Sequence, residues 1–495
     1  MKKLTGSRRL PKMLAILAVL ASVGLVAAGC SMGSSSSDDD DSSGGTTGGT
    51  TGGTSGGSSG SVSDTNPVVL TLGSETAYSG TDINEAWAAI GSSGDYVLTL
   101  ATGTYSVTEG TQLSYNGAAN IKISGNTTTD YGADVIISGK GSDQSSSKTR
   151  CLMEIQGSGN LVLENVTFYS TYRFDSADAR KSASNTQAEV LGFDSTGTVA
   201  AYNSSFKSHQ DTVRTVSKSF FYHCYIEGDV DFMWCEASSK VALYEDCAIK
   251  VLGDETTAGY IAAPRTNVAS KIWKGLVVLN STIEIEDGVD AYLFRNPWGT
   301  SSTIYNNAAF VNVTVTGTLN ASLAKSSANG TDDQQYVGWK VDSTLGDAYA
   351  SKDSTIGVLS DTTKSNEYAG RKAILNRYYD VANAKFVKDS EANWDIASVI
   401  SENGWTVAED TSSDMLDGET EVTVVTYTLD AETVDGVTGD GFALESGKPH
   451  WKGAAANTIT IPVSGKATVA VYGYYSGYGT IKAGGQGEAV YDFNN

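Results

Sequence analysis

A four-residue pattern recurs through the middle of this chain and restricts its fold more than any other feature. It reads polar residue, small or apolar residue, any residue, apolar residue. It occurs as "NIKI" from Asn120, "NVTF" from Asn165, "NSSF" from Asn203, "HCYI" from His223, "DCAI" from Asp246, "NSTI" from Asn280 and "NVTV" from Asn312. The intervals are 45, 38, 20, 23, 34 and 32 residues. The shortest are one turn of a solenoid, and the longer ones are the same turn carrying a loop. Short strands at this period, with Gly and Asn at the corners, predict an all-β chain: a right-handed parallel β-helix over residues 65–410, with coils stacked about 4.8 Å apart. Inward side chains then form ladders along the axis. Cys224 and Cys247 hold the same place one coil apart, so two reduced thiols stacked in the core are expected, with a disulfide as the alternative. Asn203 and Asn280 fall on a corner where a side-chain amide can bond the turn backbone. "INEAWAAIG" (residues 83–91) has helical spacing and is predicted to cap the open N-terminal end. A second short helix is predicted from about Ser390 to Gly404.

The two ends differ from this body. Lys2, Lys3, Arg8, Arg9 and Lys12 precede an apolar run from Met13 to Val26, which stops at "AAGC". Such a segment is a secretory signal over residues 1–29, and Cys30 after small residues resembles the lipidated cysteine of a bacterial lipobox. A plain signal peptide or an N-terminal membrane anchor is the alternative. From Ser31 to Asp64 the chain is almost entirely Ser, Gly, Thr and Asp, a composition that buries no core and tethers flexibly with a reach of roughly 30 Å. The expected location is the bacterial cell envelope, with the exported body anchored to a membrane through lipid at Cys30. Residues 420–495 carry alternating Val and Thr separated by Gly, which predicts a small C-terminal antiparallel β-module. There Trp451, Tyr472, Tyr474, Tyr475 and Tyr478 are half-buried strand residues or, alternatively, a sugar-stacking face.

The net charge of −23 excludes nucleic acid as a partner. Four cysteines after Cys30 and three histidines show no metal-ligand spacing, so no zinc site is expected. The chain is expected to act as a monomer.

One stretch breaks the rule that buried segments are apolar. "FYHCYIEGDVDFMWCE" (residues 221–236) places Asp229 and Asp231 in a run of aromatic and apolar residues. Burying a carboxylate costs several kcal/mol unless something compensates. Asp211, in "SHQDTV", lies twenty residues before Asp231, one coil of the repeat. Stacked roughly 5 Å apart, two such charges repel by about 3 kcal/mol at an effective dielectric near 20, or about two pK units. One carboxyl then stays protonated while the other stays ionised, the arrangement acid/base chemistry needs. Arg295 is a candidate cation for the ionised one, and Asp229 is read as a solvated turn residue.

Five blocks in order, "GTYSVTE" (residues 103–109), "QAEVL" (187–191), "QDT" (210–212), "FYHCYIEGDVDFMW" (221–234) and "YLFRNPW" (292–298), resemble the pectin methylesterases, whose signatures run GxYxE, QAVAL, QDT, FYxCYIxGxVDFIFG and LGRPW. The resemblance spans about residues 66–400. It implies that Asp231 attacks the methyl-ester carbonyl of a galacturonate unit, in pectin or methylated oligogalacturonides, and that Asp211 protonates the departing methanol. Gln187 and Gln210 would donate to the oxyanion, Arg295 would orient Asp231, Trp298 would stack on the sugar, and Phe232 with Trp234 would shape the cleft floor. No metal or cofactor is implied. Three departures stand out: Phe294 for a glycine, Asn296 inserted between Arg295 and Pro297, and Trp234 with Cys235 for Phe and Gly. Two other readings remain: a glycosidase on the same fold, since paired carboxylates also suit that chemistry, and a carbohydrate-binding or repurposed esterase or thioesterase lipoprotein.

Overall fold

The computed structural model describes residues 61–172, 186–235, 240–253, 258–267, 271–295, 304–305, 307–325, 337–349, 356–390 and 393–412, with short backbone strands between 438 and 493. Cys30 and its tether, Asn296, Trp298 and the side chains of the C-terminal tyrosines and Trp451 lie outside the described residues.

Three long sheets run the length of the body, one of twelve strands and two of eight. Except at the N-terminal edge of the first sheet, where Val68–Leu72 pairs antiparallel with Glu75–Gly80 and Asp95–Leu100, neighbouring strands come from successive turns of the chain and pair in parallel, as in Thr198–Tyr202 on Lys218–Tyr222 and Ser205–Lys207 on Tyr225–Gly228. The chain therefore visits the first, second and third sheets in order and repeats, which is a parallel β-helix. The third sheet carries the chemistry. Its strands are β1 (Leu113–Gly117), β2 (Met153–Gly157), β3 (Leu191–Phe193), β4 (Val213–Thr215), β5 (Val230–Cys235), β6 (Ala258–Ala263), β7 (Asp290–Arg295) and β8 (Ala324–Lys325).

The recurring motif sits at the corner between the first and second sheets. Asn165, Asn203, His223, Asp246, Asn280 and Asn312 all have positive φ, between 46° and 56°. Asn, Asp and His are the non-glycine residues that best tolerate this left-handed conformation. The side chains also bond up the stack: Asn203 Nδ2 donates to Asn165 Oδ1 at 2.8 Å, and Asn312 Nδ2 to Asn280 Oδ1 at 2.9 Å. Asn120 is the exception. It opens a strand of the first sheet, Asn120–Gly125, because its four letters suit a strand start as well as a corner.

The interior is a set of ladders. Phe168 stacks on Phe206 with centroids 5.7 Å apart, and Phe221 on Tyr244 at 4.6 Å. Cys224 and Cys247 are buried in register and both are free thiols. The helix Ile83–Ala88 is capped by Asp82 and turns Ile83, Ala86 and Trp87 into the main core at the N-terminal end.

The second predicted helix is Ile396–Glu402, and three more, Ser343–Ala348, Asp361–Glu367 and Arg371–Asn376, were not expected. Tyr368, Ile374, Leu375, Ile396 and Trp405, from the two later helices and adjoining segments, cover the outer face of the first sheet over Phe220, Leu243 and Val277. Both faces of that sheet are thus buried along its middle, and strands such as Val241–Glu245 and Gly275–Leu279 read as continuous rather than alternating burial. Buried ion pairs fasten this cover: Arg371 forks onto both oxygens of Glu245 at 3.0 and 2.8 Å, and Lys274 meets Glu367 at 3.2 Å. At the C-terminus the described backbone forms two-stranded antiparallel ladders, among them Phe442–Glu445 with Lys448–Trp451 and Gly479–Lys482 with Ala489–Phe493.

Candidate functional site

The site grows out of the register of β3, β4 and β5. Leu191 pairs with Val213, and Val213 with Met233. Two residues before Val213 and Met233 stand Asp211 and Asp231, which share one register position in consecutive coils; Glu189, two before Leu191, lies beside them across a one-residue shift between the Gln187–Gln210 bridge and the Leu191–Val213 pair. Asp211 and Asp231 both take positive φ, 63° and 51°, and the ladder from β5 to β6 slips between Val230 and Met233. The slip is a bulge, a device that re-aims side chains at functional sites. The Asp211 amide donates to the Val230 carbonyl at 3.0 Å, which locks the two aspartates in adjacent turns.

Both carboxylates are almost wholly removed from solvent, Asp231 being 4% and Asp211 5% exposed. Arg295, at the end of β7, donates from Nη1 to Asp231 Oδ2 at 3.0 Å. The guanidinium lies over the Tyr260 ring, 4.4 Å from its centroid, and that ring stacks on Tyr292. Oδ1 of Asp231 is buried with no hydrogen-bond partner among the described residues. Burial pushes the Asp231 carboxyl up to about 6, with Arg295 pulling the other way. Asp211 is raised well above the usual carboxylate range, first by burial, then by the charges of Glu189 and Asp231; Arg150 and a hydrogen bond from Gln187 oppose this. Burial and charge crowding thus favour a proton on Asp211 more strongly than on Asp231. That is the asymmetry a nucleophile beside a general acid requires.

Gln187 and Gln210 form an isolated parallel bridge, which stacks their backbones one coil apart. Gln210 Oε1 accepts from the Thr186 hydroxyl, leaving its amide N–H groups as the donating end.

Two positions read from the sequence require correction. Asp229 is fully buried, not a solvated turn residue; its Oδ1 accepts from the Val230 amide at 2.6 Å and its Oδ2 lies 3.5 Å from His209 Nδ1. Phe232 has no exposed surface and packs in the main core, so it supports the site from beneath and does not line a cleft. Cys235, which stands where the resembled pattern has glycine, likewise points into the core. Trp234 does reach the outer face, where the Arg214 guanidinium lies 5.6 Å from its ring.

The sequence reading missed a buried charge network beside the aspartates. Arg150 donates to both oxygens of Glu189, at 2.7 and 2.8 Å, and to Asp211 Oδ2 at 3.1 Å. Arg214, 1% exposed, donates to Glu154 at 2.6 Å and to Asp194. Gly192 makes room for the Glu154 pair, since a Cβ there would collide with the Glu154 carboxylate and the Arg214 guanidinium. The available signal was charge inside otherwise apolar strand runs, as in "QAEVL" and "CLMEIQ".

Residues 69–378 match the family described as Pectinesterase. A curated relative, probable pectinesterase A of Aspergillus fumigatus, is 28% identical over 254 residues, spanning 49% of this chain and 71% of the relative. Among solved structures, pectin methylesterase PemA from Erwinia chrysanthemi is 21% identical with a TM-score of 0.44, covering 60% of this chain and 93% of its own. The carrot pectin methylesterase is 18% identical with a TM-score of 0.45, covering 59% and 88%. Fold and family together define a carboxylic ester hydrolase built on a parallel β-helix. Within that class, the chain belongs to the pectinesterase family.

Proposed function

We propose that this protein hydrolyses the methyl esters of galacturonate units in pectin or oligogalacturonides and releases methanol, with Asp231 as nucleophile and Asp211 as general acid and base. One observation carries the assignment: Asp231 has one oxygen held by Arg295 at 3.0 Å and the other buried and unpartnered, one coil from an aspartate that favours its proton. The unpartnered Oδ1 attacks the ester carbonyl. The charge that develops on the carbonyl oxygen is met by amide N–H groups of Gln187 and Gln210; loss of one such donor typically costs about a hundredfold or more in rate. Asp211 gives its proton to the departing methoxide, leaving an acyl-Asp231 anhydride. The Asp211 carboxylate then takes a proton from water, and the resulting hydroxide attacks the acyl carbonyl, freeing the acid and restoring Asp231. The residue order supports Trp298 as the sugar contact, and the N-terminal segment supports export and anchoring through lipid at Cys30.

The test is methanol release from methylated pectin by the body from about residue 63, scored alongside reducing ends. Methanol should appear without new reducing ends, and Asp231→Asn, which keeps the shape but loses the nucleophilic charge, should abolish it. New reducing ends would instead mark glycosidase action, and pectin binding without methanol would mark a binding protein.

A further inference from the structure

Glu189 has no part in the reaction as drawn, yet it is the third rung of the acid ladder. The register shifts by one residue between the Gln187–Gln210 bridge and the Leu191–Val213 pair, so Glu189 lies beside Asp211 and Thr212, and Arg150 bonds both carboxylates. Glu189 is 1% exposed. The pattern this segment resembles reads QAVAL, with an apolar residue where this chain has Glu189, so the charge is one this chain adds. A buried carboxylate without purpose is costly to keep, and this one is kept by a dedicated cation. Arg150, itself 8% exposed, forks onto Glu189 and extends a third hydrogen bond to Asp211 at 3.1 Å.

The ladder therefore runs Glu189, Asp211, Asp231, with Arg150 on the first two and Arg295 on the last. Three carboxylates against two guanidinium groups leave one negative charge in excess, which a single proton relieves. The other groups facing the ladder do not change that balance much. Arg214 Nε is 3.9 Å from Glu189, but its guanidinium is committed to Glu154 and Asp194. Cys151 lies beside Arg214, and Lys148 is 3.6 Å from Asp194. On the far side Asp229 faces His209.

We propose that Glu189 and Arg150 are positioning residues for the general acid: the Glu189 carboxylate, one coil below Asp211, keeps a proton on it, and Arg150 clamps the two carboxyls in place. The proposal rests on the ester-hydrolase reading of the site. It gives the pH profile a specific architecture. Acylation needs Asp231 ionised and Asp211 protonated, so activity falls on the acid side as Asp231 takes up a proton and on the alkaline side as Asp211 loses its own. Glu189 acts on the second limb alone.

The experiment is the pH dependence of kcat/KM for methanol release, with circular dichroism to confirm folding. Glu189→Gln removes the neighbouring charge, so the alkaline limb should move down by about one pH unit or more while the acid limb stays. Arg150→Gln removes the opposing cation and should move the same limb up. Glu189→Asp keeps the charge and should restore the wild-type limb. A uniform loss at every pH with both limbs unmoved, or shifts of the same sign in the two Gln variants, would overturn the proposal. If one Gln variant does not fold, the sign of the other still decides. A wild type that releases no methanol would remove the ester-hydrolase reading itself; methanol release with unmoved limbs would remove only this inference.

Discussion

Replacing Arg295 by glutamine tests the electrostatic core of the site. The guanidinium meets Asp231 Oδ2 at 3.0 Å, and with both groups mostly out of water the pair interacts in a medium less screening than bulk solvent. At an effective dielectric near 20 and a charge separation of about 4 Å, the attraction is about 4 kcal/mol, or about three pK units. The Arg295 side chain is 23% exposed, so screening reduces this to about two units. Asp231, held at about 6 with the arginine present, would then titrate near ~8 without it. At pH 7 the ionised fraction falls from about 0.91 to about 0.09, so protonation alone lowers kcat/KM about tenfold. The loss should shrink as pH rises toward 8, because the carboxylate re-forms. The assay is the kcat/KM profile for methanol release, with Arg295→Lys as the charge-preserving comparison. An acid limb still near pH 6 in Arg295→Gln would refute the reasoning and leave Arg295 a merely steric role.

Two further outcomes are expected. Asn203→Ala should destabilise the body by about 2–4 kcal/mol, combining strain at its φ of 46° with loss of its bonds to Thr129 and Asn165; Asn203→Gly should cost about 1 kcal/mol less, and equal losses in chemical unfolding would show that the left-handed corner carries no strain. Cys30→Ser in the full chain should move the protein out of the detergent-extracted membrane fraction and prevent incorporation of labelled fatty acid; unchanged fractionation would rule out lipid at Cys30.

How legible each part of the site was depended on the length of chain between its parts. Asp211 and Asp231 are separated by one coil with no inserted loop, so their twenty-residue spacing reads directly as stacking. Glu189 stands twenty-two residues before Asp211 across a one-residue register shift, and that shift hides it. Arg150 reaches the ladder from 61 residues before Asp211, and Arg295 from 64 residues after Asp231, across loops whose lengths follow no period. Asp229 was misread for a different reason. Residues two apart share a strand face, but positive φ at Asp231 and the neighbouring bulge break that alternation, so the place of Asp229 does not follow from that of Asp231. The helices Asp361–Glu367 and Arg371–Asn376 span fewer than two full turns each, too short for a hydrophobic period to emerge.

What the residues alone determined is the solenoid and its chemistry class. Left-handed corners favour Asn, Asp, His or Gly whatever surrounds them, and a repeated local preference leaves a repeated local signature. What only the folded chain decided is which charges meet. Pairing of Arg150 with Glu189 and Asp211, and of Arg295 with Asp231, depends on the register of coils and the paths of the loops between them. Those are set by packing summed over the whole wall, and they leave no mark at any single position.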